Sequence, residues 1–82
     1  MNSFEYTIKD ENGVHARPAG LIVRKAAEYP FEITIECNGK SQSLKRLLAV
    51  MGMGIKKGDT VRVFAPRGTD ISDLKQFFED NI

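Results

Sequence analysis

The dipeptide Asn38-Gly39 is the feature that most constrains the fold of this chain. Both residues tolerate the positive φ angles of a type I′ turn, which joins two antiparallel strands directly. Apolar and polar side chains alternate over residues 31–37 before it, and a short polar run, residues 40–44, follows it. Alternation with a period of two is typical of a strand that has one buried face. The sequence therefore predicts an antiparallel sheet.

Further strands and helices are predicted on either side of this hairpin. Two more segments alternate, and three segments place their apolar residues at helical spacing. The predicted strands are residues 4–8 and 60–65. The first predicted helix starts around Pro18, the second spans residues 47–51, and the third is capped by Thr69 or Asp70. The order β-α-β-β-α-β-α indicates a two-layer α+β domain with the helices on one face of the sheet.

Length, charge and cysteine content narrow the class of protein. The 82 residues allow one domain, which we place over residues 1–82. A net charge of +1 lacks the basic excess of proteins that bind nucleic acid. The single cysteine, Cys37, excludes an intrachain disulfide and is interpreted as a core residue of the second strand. No apolar run reaches the ~18 residues of a membrane span. We expect a cytoplasmic monomer without membrane insertion, metal or cofactor.

The only histidine, His15, lies just before the first predicted helix, in Gly13-Val14-His15-Ala16-Arg17-Pro18-Ala19. The first backbone N–H groups of a helix lack intrahelical acceptors and carry partial positive charge, so they attract anions. Arg17 adds a guanidinium group that matches phosphate geometry. This potential favours neutral, nucleophilic imidazole, which suits acceptance of a phosphoryl group. On its own, however, His-x-Arg is more often a loop histidine beside a solvated arginine.

This segment closely resembles the active-site signature of the HPr family, the histidine-containing phosphocarriers of the bacterial phosphoenolpyruvate-dependent sugar phosphotransferase system. The resemblance covers essentially the whole chain, without gaps. Its second motif block comprises Asn38-Gly39-Lys40-Ser41, Leu44-Lys45 and Val50-Met51-Gly52-Met53-Gly54. The resemblance implies an open-faced β-sandwich, with a four-stranded antiparallel sheet in the order 1-4-2-3 and three helices on one face.

The resemblance also implies a function and its site residues. The histidine that matches His15 receives phosphate on Nδ1 from phosphorylated enzyme I and passes it to enzyme IIA domains, and Arg17 matches the arginine that steadies the phosphoryl group. Such a protein is a stoichiometric carrier rather than a turnover enzyme.

Arg46 departs from the HPr pattern. Many members carry at this position a regulatory serine, which an ATP-dependent kinase phosphorylates in many Gram-positive bacteria. Because arginine has no hydroxyl group, this regulation is predicted to be absent. Ser41 and Ser43 lie in the polar third strand and are interpreted as surface hydroxyls.

A surface that docks partner proteins is predicted around the short second helix. This helix cannot bury all of its apolar side chains, so some of them should form an exposed patch. Basic residues, Lys25 among them, should surround the patch and suit acidic partners. The predicted docking residues are Ala16, Gly20, Arg24, Lys45, Arg46, Leu47, Leu48 and Met51.

Two other functions remain open. One is an HPr-like protein that uses the same histidine in a non-sugar phosphorelay or binds regulatory proteins. The other is a small enzyme, because residues 13–17 superficially resemble the anion loop of acylphosphatase. That family needs an asparagine to place its water, and the proline in the first turn of the helix and the second motif block argue against it. The sequence does not name the sugar.

Overall fold

The computed structural model describes all 82 residues, and its strands form one antiparallel sheet with three helices packed on one face. The elements are β1 (Ser3–Thr7), α1 (Ala16–Ala26), β2 (Thr34–Cys37), β3 (Lys40–Ser43), α2 (Leu47–Met51), β4 (Thr60–Phe64) and α3 (Ser72–Asn81). The strand order is β1-β4-β2-β3. The predicted α+β open-faced sandwich is therefore confirmed.

The hairpin between β2 and β3 has the predicted turn. Asn38 has a φ of 53° and Gly39 a φ of 79°, so both central residues adopt positive φ. This turn pairs Cys37 with Lys40 and sets the register of the whole hairpin. The β4 strand pairs with both β1 and β2, so β4 and β2 are the two inner strands of the sheet and β1 and β3 its edges.

The core lies between the sheet and the helices. Alternate residues of β1, β2 and β4 are buried, and the apolar stripes of α1 and α3 cover them. The Phe78 ring meets the rings of Phe4 and Tyr6 edge to face, with centroids 5.4 and 6.0 Å apart. Cys37 is buried as predicted, and burial raises the pKa of its thiol. No helix has the length and apolar character needed to cross a membrane.

The first residues of β2 and α3 differ from the predicted ones, and side chains bind the backbone at both places. The β2 strand begins at Thr34 rather than residue 31, since the Glu32 carboxylate accepts the Ile33 N–H at 3.2 Å and the Ser43 hydroxyl at 2.6 Å. The α3 helix begins at Ser72, and its N-cap residue is Ile71 rather than the predicted Thr69 or Asp70. The Asp70 side chain nevertheless binds this end of the helix, because its Oδ1 accepts the Ser72 N–H at 3.0 Å.

Candidate functional site

His15 is the N-cap residue of α1, but its side chain does not cap the helix. Its backbone is extended, with φ −105° and ψ −177°, and its carbonyl accepts the Ala19 N–H at 2.9 Å. The imidazole makes no capping hydrogen bond, and the side chain is 42% exposed. The backbone therefore begins the helix while the imidazole remains accessible to a reactant.

The first turn of α1 offers unpaired donors beside His15. The backbone N–H groups of Ala16 and Arg17 donate to no acceptor in the protein, and Pro18 has no N–H. The first turn contains no acidic residue, and Arg17 is exposed and makes no ion pair. This arrangement suits an anion, because free N–H groups, the helix dipole and a guanidinium carry positive charge.

Asp10 is the closest carboxylate to His15, and the sequence indicated it only as part of a polar turn. Its Oδ1 lies 3.8 Å from His15 Nε2 and accepts the Asn12 N–H at 2.8 Å. The two nitrogens of an imidazole point to different sides of the ring. With Nε2 towards Asp10, Nδ1 is the nitrogen directed away from this carboxylate.

The end of α3 completes the surroundings of His15. The Lys9 and Asp10 N–H groups donate to the Ile82 carbonyl at 2.8 and 2.9 Å, which fastens the loop to the last residue of the chain. An open depression of about 350 Å³ lies between the His15 loop, the start of α1 and the end of α3. It is lined by Asp10, Asn12, His15, Arg17, Pro18, Leu21, Asp80 and Asn81. Nothing in the local sequence around His15 indicated the contribution of Asp80 and Asn81.

Gly13 lets the loop lie against the segment that precedes β4. It has a φ of 66°, and a Cβ built on it would lie 2.3 Å from the Ile55 carbonyl oxygen. The neighbouring Val14 N–H donates to that same oxygen at 3.0 Å. Close backbone contact therefore holds the loop that presents His15.

Comparison with known proteins identifies the family. A family profile described as "PTS HPr component phosphorylation site" matches residues 2–80. This chain belongs to the HPr family. The phosphotransferase system that the profile names transfers phosphoryl groups, which agrees with an anion site beside an exposed histidine.

Solved HPr structures share the fold over nearly the whole chain. The histidine-containing phosphocarrier protein of Mycoplasma is 34% identical, with a TM-score of 0.82, covering 96% of this chain and 89% of its own. HPr of Thermoanaerobacter tengcongensis is 30% identical, with a TM-score of 0.82 and coverages of 98% and 89%. The phosphocarrier protein HPr of Bacillus anthracis is 25% identical, with a TM-score of 0.81 and coverages of 98% and 94%.

The apolar residues predicted for docking are exposed to different degrees. Leu48 is 82% exposed and Leu47 38%, whereas Met51 is half-buried. Leu21 of α1, which the sequence analysis missed, is 36% exposed and belongs to the helix that packs beside α2. It lies outside the buried stripe of α1, which comprises Pro18, Ala19, Ile22 and Ala26, and this offset was the available signal of its exposure. We call Leu21, Leu47 and Leu48 the leucine patch.

The basic residues around the leucine patch are not equally free. Arg24 and Arg46 are exposed and make no ion pair. Lys25 is 3.3 Å from Glu28 Oε1, and the Lys45 ammonium donates to the Tyr29 carbonyl at 2.6 Å. Arg24 and Arg46 therefore supply the unpaired positive charge beside the leucine patch, and Arg17 adds a third such charge at the start of α1. Of the other predicted docking residues, Ala16 is exposed and Gly20 is half-buried.

The serines of β3 differ from each other. Ser41 is exposed, as interpreted, but Ser43 is half-buried and donates to Glu32 Oε1 at 2.6 Å. Ser43 Oγ also accepts the Lys45 N–H at 3.2 Å. The hydrogen bond from Ser43 lowers the pKa of Glu32. Ser43 is therefore a partly exposed hydroxyl that also stabilises the turn before α2, a role that the sequence did not indicate.

Proposed function

We propose that this protein carries a phosphoryl group on His15, which it accepts from phosphorylated enzyme I and passes to enzyme IIA domains. The observation that carries the proposal is the placement of its only histidine, with a free imidazole, at a helix start where two N–H groups lack acceptors. Membership of the HPr phosphocarrier family supports the same function. The protein is a stoichiometric carrier in the cytoplasm, and it does not release product as a turnover enzyme does.

In this proposal Nδ1 of the neutral imidazole attacks the phosphorus atom. The N–H groups of Ala16 and Arg17 and the Arg17 guanidinium stabilise the negative oxygens of the phosphoryl group. Because these groups are held by α1 before the reactant arrives, little reorganisation is needed when the group is transferred. The same contacts stabilise the phosphohistidine product until a second protein takes the phosphoryl group.

The docking surface of the proposal combines the leucine patch with the arginines around it. Leu48 is 82% exposed, which points to a contact surface, because exposure of an apolar side chain to water is unfavourable. Arg24 and Arg46 would attract acidic partners to this patch. The proposed contact residues are those predicted from the sequence with Leu21 added.

The test is incubation with phosphoenolpyruvate and enzyme I, followed by measurement of the protein's mass. We expect the mass of one acid-labile phosphate on the wild-type protein and none on His15→Ala. The fold of His15→Ala should be unchanged by circular dichroism, because the half-exposed side chain makes no hydrogen bond. A wild-type protein that remains unphosphorylated, or a His15→Ala variant phosphorylated as fast as wild type, would contradict the proposal. Transfer onward to purified enzyme IIA then separates a sugar-system carrier from a carrier of another phosphorelay.

A further inference from the structure

We propose that Asp10 is a positioning residue that keeps the proton of neutral His15 on Nε2 and so leaves the lone pair of Nδ1 free for the phosphoryl group. This inference rests on the proposed function, since it concerns the same histidine. Asp10 lies outside the histidine segment, residues 13–19, and the placement of its carboxylate carries the inference.

The position of Asp10 is determined by the backbone on both of its sides. Its N–H donates to the Ile82 carbonyl at 2.9 Å, and its own carbonyl accepts the Gly13 N–H at 3.0 Å. Its Oδ1 accepts the Asn12 N–H at 2.8 Å, which closes a side-chain turn. The carboxylate is therefore held on the side of His15 to which Nε2 points, and no other carboxylate lies within 4 Å of the imidazole nitrogens.

A carboxylate in this place selects one tautomer of the imidazole. In neutral imidazole one nitrogen carries the proton and the other accepts, whereas an ionised carboxylate only accepts. Asp10 therefore favours Nε2–H, and the positive end of α1 favours a lone pair on Nδ1. The separation of 3.8 Å is longer than a hydrogen bond, and hydrogen bonds of a free site commonly shorten when the reactant binds.

The phosphoryl transfer needs no proton to move if Nε2 holds it throughout. The bond between phosphorus and the donor atom breaks, and its electron pair stays on the donor. The lone pair of Nδ1 forms the new bond to phosphorus, so the His15 ring changes from neutral to positively charged. The Asp10 carboxylate offsets that charge. When the group leaves for the next protein, the electron pair returns to Nδ1 and the ring is neutral again.

Asp80 provides a matched control. Its carboxylate lines the same depression, but its Oδ1 accepts the Gln76 side-chain amide at 3.0 Å and makes no contact with His15. Asp10→Asn and Asp80→Asn each remove one negative charge from the depression. Asn at position 10 retains an oxygen for the Asn12 N–H, so the turn is preserved.

The experiment measures the His15 tautomer and the transfer rate in wild type and both variants. Side-chain nitrogen chemical shifts of ¹⁵N-labelled protein report which ring nitrogen carries the proton, with no phosphoryl donor present. We expect Nε2–H to predominate in wild type and Asp80→Asn, and the population of Nδ1–H to increase in Asp10→Asn. Phosphorylation by enzyme I, followed by rapid quenching, should be roughly two- to fivefold slower in Asp10→Asn only, the range of a partly exposed charge pair.

The outcomes separate this inference from the proposed function. If Asp10→Asn keeps both the wild-type tautomer ratio and the wild-type rate, or if the two variants change equally, the positioning role is refuted. If wild type shows the expected tautomer but accepts no phosphate from enzyme I or from a small phosphoramidate donor, the proposed function fails while the positioning of the imidazole stands.

Discussion

Replacing Gly13 with alanine should destabilise the loop of His15 through two separable effects. Gly13 has a φ of 66°, and an alanine there costs about 1 kcal/mol. Its Cβ would also lie 2.3 Å from the Ile55 carbonyl oxygen and 2.8 Å from Lys56 Cα. Backbone atoms cannot rotate away as a side chain does, so the loop must move. That movement weakens the 3.0 Å hydrogen bond from Val14 to Ile55.

The expected loss follows from these contributions. Relieving the overlap costs about 1–3 kcal/mol, and the hydrogen bond contributes about 1 kcal/mol. With the cost of positive φ, Gly13→Ala should lower the free energy of unfolding by about 3–5 kcal/mol. Gly54 is the matched control, because its φ is 67° and no heavy atom lies within 4 Å of a Cβ built there. Gly54→Ala should therefore lose only about 1 kcal/mol.

Urea unfolding followed by circular dichroism measures both losses. For a chain of this size each 1 kcal/mol also corresponds to about 4–8 °C in Tm, so thermal unfolding is a second measurement. Gly13→Ala should in addition accept phosphate more slowly, since the displaced segment presents His15. Equal destabilisation of the two variants would refute the argument from close backbone contact.

Four further predictions concern Arg17, the ATP-dependent HPr kinase, Arg46 and Asp70. Arg17→Ala should slow phosphoryl acceptance by roughly tenfold to a hundredfold in rapid-quench assays, because one charge-assisted contact of about 1.5–3 kcal/mol is lost. Arg17→Lys should recover only part of the rate, since lysine lacks the planar guanidinium group. A wild-type rate in the alanine variant would show that Arg17 is not involved. The wild-type protein should not be a substrate of the ATP-dependent HPr kinase. Arg46→Glu should weaken association with enzyme I at low salt, as measured by surface plasmon resonance. The difference in affinity between this variant and wild type should shrink as added salt screens the charge. An unchanged affinity at low salt would contradict the docking role of Arg46. Hydrogen bonds from Ser72 and the ammonium group of Met1 hold the pKa of Asp70 at about 2, below its usual 3.8. A carboxyl group whose pKa is lowered by folding stabilises the fold at pH values above its unfolded pKa. Asp70→Asn should therefore be less stable than wild type in urea unfolding at neutral pH. This difference in stability should disappear as the pH falls from about 4 to about 2.

Several features followed from the sequence because they depend on residues that are close in the chain. Asn38-Gly39 specified the hairpin, since positive φ at both positions is a local preference. His15 at the start of α1 followed from the proline and the helical spacing of the apolar residues after it. The strand order came from the resemblance to HPr, because alternation shows which face of a strand is buried but not which strand lies beside it.

Boundaries and charges were harder to predict, because side chains distant in sequence decide them. Glu32 accepts from Ser43, eleven residues away, and β2 begins later than its alternation indicates. Lys45 was predicted to be a docking residue, but its ammonium group donates to the Tyr29 carbonyl, sixteen residues away. Spacing and charge in the sequence do not show such a partner.

The sequence alone determined the proposed reactive group and its local setting, because His15, Arg17 and the first turn of α1 are neighbours in the chain. Only the tertiary structure decided what faces that group. The Ile82 carbonyl binds the backbone at Lys9 and Asp10 and brings the end of α3 to the loop. A local turn orients the Asp10 carboxylate, and the long-range hydrogen bond to Ile82 holds that turn in place beside Nε2. Long-range backbone hydrogen bonds, which no local pattern encodes, therefore shape the electrostatic surroundings of the imidazole.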